Sequence, residues 1–244
     1  MKRVLFGLGT GRCGTVSLGT LLNSQPATAC FHELNPSSMA WSGAEMTVVS
    51  LLRDFHAILD GAERAVTGDR ASPNRLAPAG RMQTLPKIDA IGDVASYYLP
   101  YVPLILERSP NARFCCLRRD RAQTIESFVE KLSGPNYSAP PRNHIAPRSD
   151  KRWTKDRIWD KCFPHFRGMK ESTLAEHIGR YYDRYYEDAA RFVARYPGNF
   201  AIFATETLNS KEGRSRILDF CLGPRAHTDV EVRLNRRKSR RKPV

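Results

Sequence analysis

No run of apolar residues in this chain approaches the roughly 18 needed to span a bilayer, and no segment repeats at a fixed period, so a helical membrane protein and a repeat array are set aside. The six cysteines, at 13, 30, 115, 116, 162 and 221, form no CxxC pair and have no histidines at zinc-site intervals. That excludes the common zinc modules and a disulfide framework; reduced thiols filling apolar space are expected. Acidic residues are scarce, 25 against 39 basic ones, for a net charge of +14. Seven basic residues and no acid fall in residues 233–244, half of that excess. The same stretch has no aromatic residue on which a base could stack, so it reads as a solvated basic tail that attracts polyanions non-specifically; no specific nucleic-acid partner is expected, and a non-catalytic protein that binds nucleic acid or another polyanion is the alternative the charge leaves open. The first strand pattern begins at Arg3, leaving no room for a leader, and a cytoplasmic protein is expected.

What is present is concentrated in residues 4–33, VLFGLGTGRCGTVSLGTLLNSQPATACFHE. An apolar strand runs into a Gly-rich turn, a helix and a second strand that ends in an acid. Such a turn aims backbone N–H groups, at the positive end of a helix dipole, toward a phosphate or sulfate. Read as a nucleoside-triphosphate loop, Gly9-Thr10-Gly11-Arg12-Cys13-Gly14-Thr15-Val16 has the glycine spacing but not the chemistry. Thr15 stands in place of the phosphate-binding Lys, and Val16 replaces the hydroxyl that ligates Mg²⁺. The positive charge has moved into the turn as Arg12, whose planar fork can hold two oxygens of a tetrahedral anion. Gly9, Gly11 and Gly14 also spell GxGxxG, and Glu33 lies near the place of a ribose-binding acid. An NAD(P)-dependent Rossmann oxidoreductase is therefore an alternative, although a charged Arg12 fits poorly where backbone must approach a pyrophosphate.

A second segment lies a hundred residues on, Ala112 to Phe128. Phe114 to Leu117 has the pattern of a buried strand, and Gln123 to Leu132 that of a helix with Ile125, Phe128, Val129 and Leu132 on one face. Arg119 ends the strand and Ser127 rides the helix. Together with Arg12-Cys13-Gly14-Thr15-Val16, this pairing resembles the sulfotransferases that use 3'-phosphoadenosine 5'-phosphosulfate (PAPS), in which an R-S-G-T-T loop binds the phosphosulfate and a strand-end Arg and a Ser eight residues later bind the 3'-phosphate. Phe203 to Leu208, followed by Arg216 to Gly223, resembles the late strand, Glu-x-Leu turn and closing helix of the same family.

The resemblance implies a P-loop-like α/β fold and transfer of a sulfuryl group from PAPS to a hydroxyl or amine acceptor, with no metal. A glycan, a tyrosine, a lipid or a small metabolite could be the acceptor. Gly11, Arg12, Cys13, Gly14, Thr15 and Val16 would hold the phosphosulfate, Arg119 and Ser127 the 3'-phosphate, and Arg12 would also stabilise charge on the leaving oxygen. Glu33 would be the base, as the Glu at the end of the strand after the loop helix is in several sulfotransferases, with His32 beside it as the rival. Neighbours on a strand face opposite ways, so only one of the two can serve unless the strand has ended. His144 and His165 are weaker candidates. Val16 removes a hydroxyl that many relatives offer the donor, and Ser17 is turned away on a regular helix. The stretch Ile91-Gly92-Asp93-Val94 lacks the Lys that many relatives place near the transferred group, which leaves Lys87 upstream as a substitute. Cys13, beside Arg12 at a helix start, is either a small loop residue or a thiol of lowered pKa.

Alternating patterns predict strands at 3–8, 28–32, 88–91, 113–118 and 199–204, and helices at 15–23, 44–60, 94–107, 122–132, 173–195 and 211–221. The expected fold is α/β, a single domain (1–232) with a mostly parallel β-sheet covered by helices on both faces. A Pro/Gly/Arg-rich loop is expected at 67–86. An irregular insertion at 133–170, rich in Pro and carrying Trp153, Trp159, Phe163 and Phe166, reads as a lid over the acceptor or as a loop anchored on the core. Tyr181, Tyr182, Tyr185 and Tyr186 recur at helical spacing and read as packing residues with polar tips.

Overall fold

The computed structural model describes residues 2–62, 64–68, 73–132, 160–164, 166 and 173–232. Five strands, β1 (Arg3–Leu8), β2 (Thr28–His32), β3 (Ala90–Val94), β4 (Arg113–Arg118) and β5 (Phe200–Ala204), form one sheet in the order β2-β3-β1-β4-β5. Every neighbouring pair is parallel. Seven α-helices accompany it among the described residues: α1 (Thr15–Asn23), α2 (Glu45–Leu59), α3 (Pro73–Thr84), α4 (Val102–Arg108), α5 (Arg121–Leu132), α6 (Leu174–Arg195) and α7 (Lys211–Leu222). β1 to β4 are buried almost throughout, which is why they read as apolar runs instead of alternating ones, whereas β5, at the edge, is only partly covered.

Alternate side chains of each strand feed two cores. Val4, Phe6, Leu8, Phe31, Ile91 and Phe114 face α2, α4, α5 and α6. Leu5, Cys30, Val94, Cys115 and Leu117 face α1 and α7 on the other side. Phe6, Phe114 and Phe200 occupy paired positions on β1, β4 and β5 and stack with centroids 5.6 and 5.8 Å apart, a ladder that ties the centre of the sheet to its edge. All six cysteines are free and buried.

Three expectations need correction. The segment expected as a loop at 67–86 contains α3, even though Pro78 lies inside it. Its end is held by a tertiary cap: the Arg64 guanidinium donates to the carbonyls of Met82 (3.0 Å), Gln83 (3.3 Å), Pro86 (3.2 Å) and Leu85. A cap supplied from outside the helix satisfies orphan carbonyls that local propensity cannot account for. The third strand runs to Val94 instead of ending at 91. The helix expected at 94–107 is a 3₁₀ segment, Ser96–Tyr101, followed by the short α4. Pro100 lies within the 3₁₀ segment and Pro103 at the start of α4, where a missing N–H is tolerated.

Most of the 133–170 insertion, including Pro135, Pro140, Pro141, Pro147, His144, Trp153, Trp159 and His165, lies outside the described residues, as does the tail 233–244. Of its described members, Phe163 is buried edge-on against Tyr181 at 5.1 Å, an anchor on the core. Phe166 lies under the Arg180 guanidinium at 4.9 Å.

Gly92 marks the tightest approach between β3 and β1: a methyl there would land on the carbonyl oxygen of Leu5 and 2.7 Å from its Cβ. Gly92→Ala is expected to lower stability by about 3 kcal/mol, the upper end of overpacking costs, seen as a lower urea midpoint; an unchanged midpoint would show that the two strands separate easily.

Candidate active site

In a parallel sheet of this kind, ligands sit beyond the carboxyl ends of the strands, and the chain carries its functional loops there. After β1 the backbone takes positive φ at Gly9 (144°), Gly11 (84°), Arg12 (57°) and Gly14 (92°). Three glycines make this turn affordable; Arg12 is the one residue that bears the cost of a Cβ in the left-handed region. The turn delivers the chain to α1 through Gly14, with no side-chain cap and no acid in the first helical turn. The N-terminal amides and the dipole of α1 are therefore left for an anion.

The second loop comes to the first. Arg119 Nη1 donates to the carbonyl of Arg12 at 3.1 Å, and Arg12 Nε donates to Ser127 Oγ at 3.1 Å. The Arg119 fork is steadied by Gln123 Oε1, which accepts from Nε and Nη2 at 3.3 and 3.2 Å. Arg12 thus forms one cluster with Arg119 and Ser127, which lie more than a hundred positions further along the chain.

Four phenols of α6 hold the two loops in place. Tyr181 donates to the carbonyl of Thr10 (3.1 Å), Tyr182 to Arg119 (2.7 Å), Tyr186 to Leu117 (2.7 Å) and Tyr185 to Ser96 (3.1 Å). Tyr185 also accepts the N–H of Gly9 at 3.0 Å. Burial pushes the Tyr181, Tyr185 and Tyr186 phenols well above the ordinary tyrosine range, so they remain donors. Packing was the sequence-level reading; that the polar tips grip both anion loops was not visible, because helical spacing does not reveal what lies opposite.

On the other side of the first loop, β2 ends at His32, and Glu33 turns into the left-handed region at φ 55°. The expected opposition of His32 and Glu33 does not arise, because the strand has stopped: His32 Nδ1 and Glu33 Oε2 lie 3.8 Å apart. His32 Nε2 pairs with Thr15 Oγ1 at 3.2 Å, which ties this corner to the start of α1. Asp93, missed in the sequence because it lies inside a strand, supports the bend. Its Oδ2 accepts the N–H of Leu34 (3.0 Å) and the Tyr98 hydroxyl (2.8 Å), and its Oδ1 accepts the N–H of Val94 (2.9 Å).

Burial sets the protonation of this corner. Desolvation, with Arg75 and Lys131 adding, lowers His32 to about 4, so the imidazole is neutral at pH 7. The Glu33 side chain keeps 34 % of its surface open. Desolvation nonetheless pushes its carboxyl up to about 7, opposed by Lys131, assisted by Asp93 and opposed by Arg75. Burial holds Asp93 at about 6 despite its three donors.

The structure decides one open reading here and overturns one expectation. Cys13 is fully buried, and desolvation pushes its thiol up to about 11, so of the two readings it is the small loop residue, packed under Gly9. Lys87 precedes β3 at the amino end of the sheet and pairs with Asp89 at 3.0 Å, on the wrong side for any role at the loop. Ser17 is buried against the sheet side of α1, and Val16 is partly exposed.

The strand order places β3 between β1 and β2, whereas in a dinucleotide fold, where the ribose acid follows β2, β1 and β2 are neighbours. A parallel sheet of this order, with an arginine-bearing anion turn after its central strand, defines an α/β protein of the P-loop-like class. The chain belongs to the sulfotransferase family: the model of the sulfotransferase domain matches residues 4–206. A sulfotransferase from Alicyclobacillus acidocaldarius shares the fold, with a TM-score of 0.52 at 12% identity over 91% of this chain and 81% of that one. A sulfotransferase domain from the curacin biosynthetic pathway aligns over 93% of this chain and 76% of its own length, at 16% identity and a TM-score of 0.45. No curated protein matches the sequence. The chain is thus a transferase of sulfuryl groups. Among the described residues no helix is long and apolar enough to cross a membrane, and no group of three or more His, Cys, Asp or Glu is placed to hold a metal.

Tyr185→Phe removes two hydrogen bonds and leaves the buried Gly9 N–H without its acceptor. A loss of about 1–3 kcal/mol is expected, read from denaturant unfolding, against about 0.5–1.5 kcal/mol for Tyr182→Phe, whose partner loop is more open.

Proposed function

We propose that the protein transfers a sulfuryl group from PAPS to a hydroxyl or amine of an acceptor, with residues 1–232 as the catalytic domain. The observation that carries this reading is the convergence of the two loops, Arg119 on the Arg12 carbonyl and Arg12 on the Ser127 hydroxyl, each at 3.1 Å. A donor charged at both its 3' and 5' ends needs two such clamps within one molecule's reach. The residues present fit it: uncapped α1 amides with Gly11, Cys13, Gly14 and Thr15 for the phosphosulfate, and Arg119 with Ser127 for the 3'-phosphate. Cys13 contributes its backbone, its thiol being turned inward.

PAPS supplies an activated sulfuryl group whose bond to the 5'-phosphate oxygen breaks, the electron pair staying with the phosphate, as the acceptor atom bonds to sulfur. Arg12, held on Ser127 at 3.1 Å, meets the charge that grows on that phosphate from a fixed position. Glu33 takes the acceptor's proton; a carboxyl near 7 is matched to that task, whereas an imidazole near 4 is a weak base. His32, neutral and bonded to Thr15, orients the loop start and flanks Glu33. Val16 has no oxygen to offer a cation, which suits a transfer that relies on Arg and backbone amides.

Calorimetry with adenosine 3',5'-bisphosphate, 5'-AMP, NADH and a DNA duplex tests the donor. Tight binding is expected for the bisphosphate alone. Arg119→Ala should weaken it about 10- to 150-fold, the equivalent of about 1.5–3 kcal/mol for a charge-assisted bond; equal affinity for 5'-AMP would remove the 3'-phosphate assignment. A labelled-sulfate transfer screen across glycans, tyrosyl peptides, lipids and small metabolites identifies the acceptor.

Glu33→Gln should lower kcat at least about 100-fold with bisphosphate affinity retained. In the wild type kcat/KM should rise as pH passes through about 7, because the carboxyl acts in its deprotonated form. Undiminished turnover in Glu33→Gln would eliminate Glu33 as the base.

A further inference from the structure

Every carbonyl of the turn after β1, from Thr10 to Gly14, is held by a donor. Thr10 C=O accepts from Tyr181 (3.1 Å), Gly11 C=O from the Thr10 hydroxyl (3.1 Å), Arg12 C=O from Arg119 (3.1 Å), Cys13 C=O from the Thr205 hydroxyl (2.8 Å) and Gly14 C=O from the N–H of Leu18 (3.0 Å). In a planar trans peptide the C=O and the N–H that follows it point opposite ways. A carbonyl drawn toward one side therefore sends the next N–H to the other, and Thr205 does this to the peptide that joins Cys13 to Gly14. Among the described residues the Gly14 N–H has no hydrogen-bond partner. Gly14, at φ 92°, stands just before the uncapped first turn of α1, where an anion would lie.

Thr205 opens a 3₁₀ turn, Thr205–Asn209, that follows β5 and packs on the glycine itself. A Cβ at Gly14 would come 3.2 Å from the Thr205 methyl and 3.5 Å from Leu208. The turn is fixed in its place from α7. A methyl at Gly213 would land on the carbonyl oxygen of Thr207, so helix and turn meet backbone to backbone. Arg214, 6% exposed, donates to the carbonyl of Leu208 at 3.1 Å and holds both oxygens of Asp229, at 2.7 and 2.9 Å. Asp229 lies in the segment after α7, whose Thr228 exchanges two hydrogen bonds with the Gln25 side chain just beyond α1, at 2.8 and 3.0 Å.

We propose that Thr205 is a positioning residue for the donor: its hydroxyl sets the peptide between Cys13 and Gly14 so that the Gly14 N–H is aimed at the 5'-phosphosulfate, and Arg214, held by Asp229, keeps the Thr205 turn in place. The inference rests on the PAPS reading above. Thr205 meets a carbonyl of the turn and not the donor, so it acts on the ligand through Gly14. A glycine at positive φ has no side chain to restrain the peptide before it, and the hydroxyl supplies that restraint from outside. Without it the peptide can rotate and the N–H leaves the anion. Arg119 holds the turn by a different carbonyl, that of Arg12, so the 3'-phosphate clamp does not depend on Thr205. Loss of the hydroxyl is felt at one end of the donor only.

The test compares, by calorimetry, two ligands that differ only in the 5'-phosphate: adenosine 3',5'-bisphosphate and 3'-AMP. Thr205→Val keeps the shape of the side chain and removes its donor. It should weaken the bisphosphate about tenfold, the worth of one charge-assisted hydrogen bond, and leave 3'-AMP unchanged. Thr205→Ser should restore most of the loss, and Thr205→Ala gives the same comparison if the valine variant does not fold. A turn that serves stability alone would weaken both ligands alike; that result overturns the proposal, as does an unchanged affinity for the bisphosphate. If the wild type does not prefer the bisphosphate to 3'-AMP, the donor assignment fails and this inference falls with it; if it does and Thr205→Val discriminates nothing, only this inference fails.

Discussion

Two loops from different crossovers can act on one ligand only if their backbones keep a set separation, and here phenol hydroxyls on a single helix hold it. Tyr181 and Tyr185 meet the turn after β1; Tyr182 and Tyr186 meet the end of β4. The pairs are each four residues apart, so every ring rises one helical turn above its partner on the same side of α6. The rings themselves are part of the core, which lets one side chain contribute apolar burial at its base and a directed hydrogen bond at its tip. A capping box of Thr173 and Glu176 fixes the start of this helix, and a two-pronged contact from Arg121 to Asp183, 2.8 Å at each prong, aligns it with α5. The ion pair is exposed and adds little stability; its role is registry.

The remaining side of the site is built on burial without full pairing. Glu33 and Asp93 both have carboxyls displaced upward by desolvation, and His32 is displaced downward, so this corner carries less charge at neutral pH than its residues would in water. The positive charges that bear on this corner come from Arg75 of α3 and Lys131 of α5. Backbone strain accompanies the arrangement: among the described residues Arg12 and Glu33 are two of three non-glycine residues at positive φ. Each sits where a side chain must leave the direction that a strand or helix would impose. Strain held in this way by surrounding hydrogen bonds is characteristic of residues positioned for chemistry.

Much of the architecture was legible because its signals are local. Apolar runs flanked by turns marked β1, β2, β4 and β5 to within a residue, and helical periodicity marked α1, α2, α5, α6 and α7 equally well. The errors fell where local preference was overruled from a distance. α3 reads as a loop because of its prolines and its glycine, and it is a helix with an end held by Arg64 from outside. The region after β3 reads as a single helix because its apolar residues have the right spacing, but two prolines divide it. Asp93 looks like the end of a strand and is inside one, since its acid is satisfied by backbone and phenol donors that no pattern in the sequence announces.

The chain on its own determined the motifs: the glycine turn, the arginine within it, the Arg119 and Ser127 spacing and the acid after β2, because each depends on residue type and short-range geometry. Tertiary structure alone decided that Arg12 rests on Ser127, that His32 and Glu33 share one corner, that the Cys13 thiol turns inward, and that Lys87 lies at the amino end of the sheet, away from the loops. Those outcomes depend on which elements the sheet order brings side by side and on how much water is left between them, and neither quantity is carried by any short stretch of sequence.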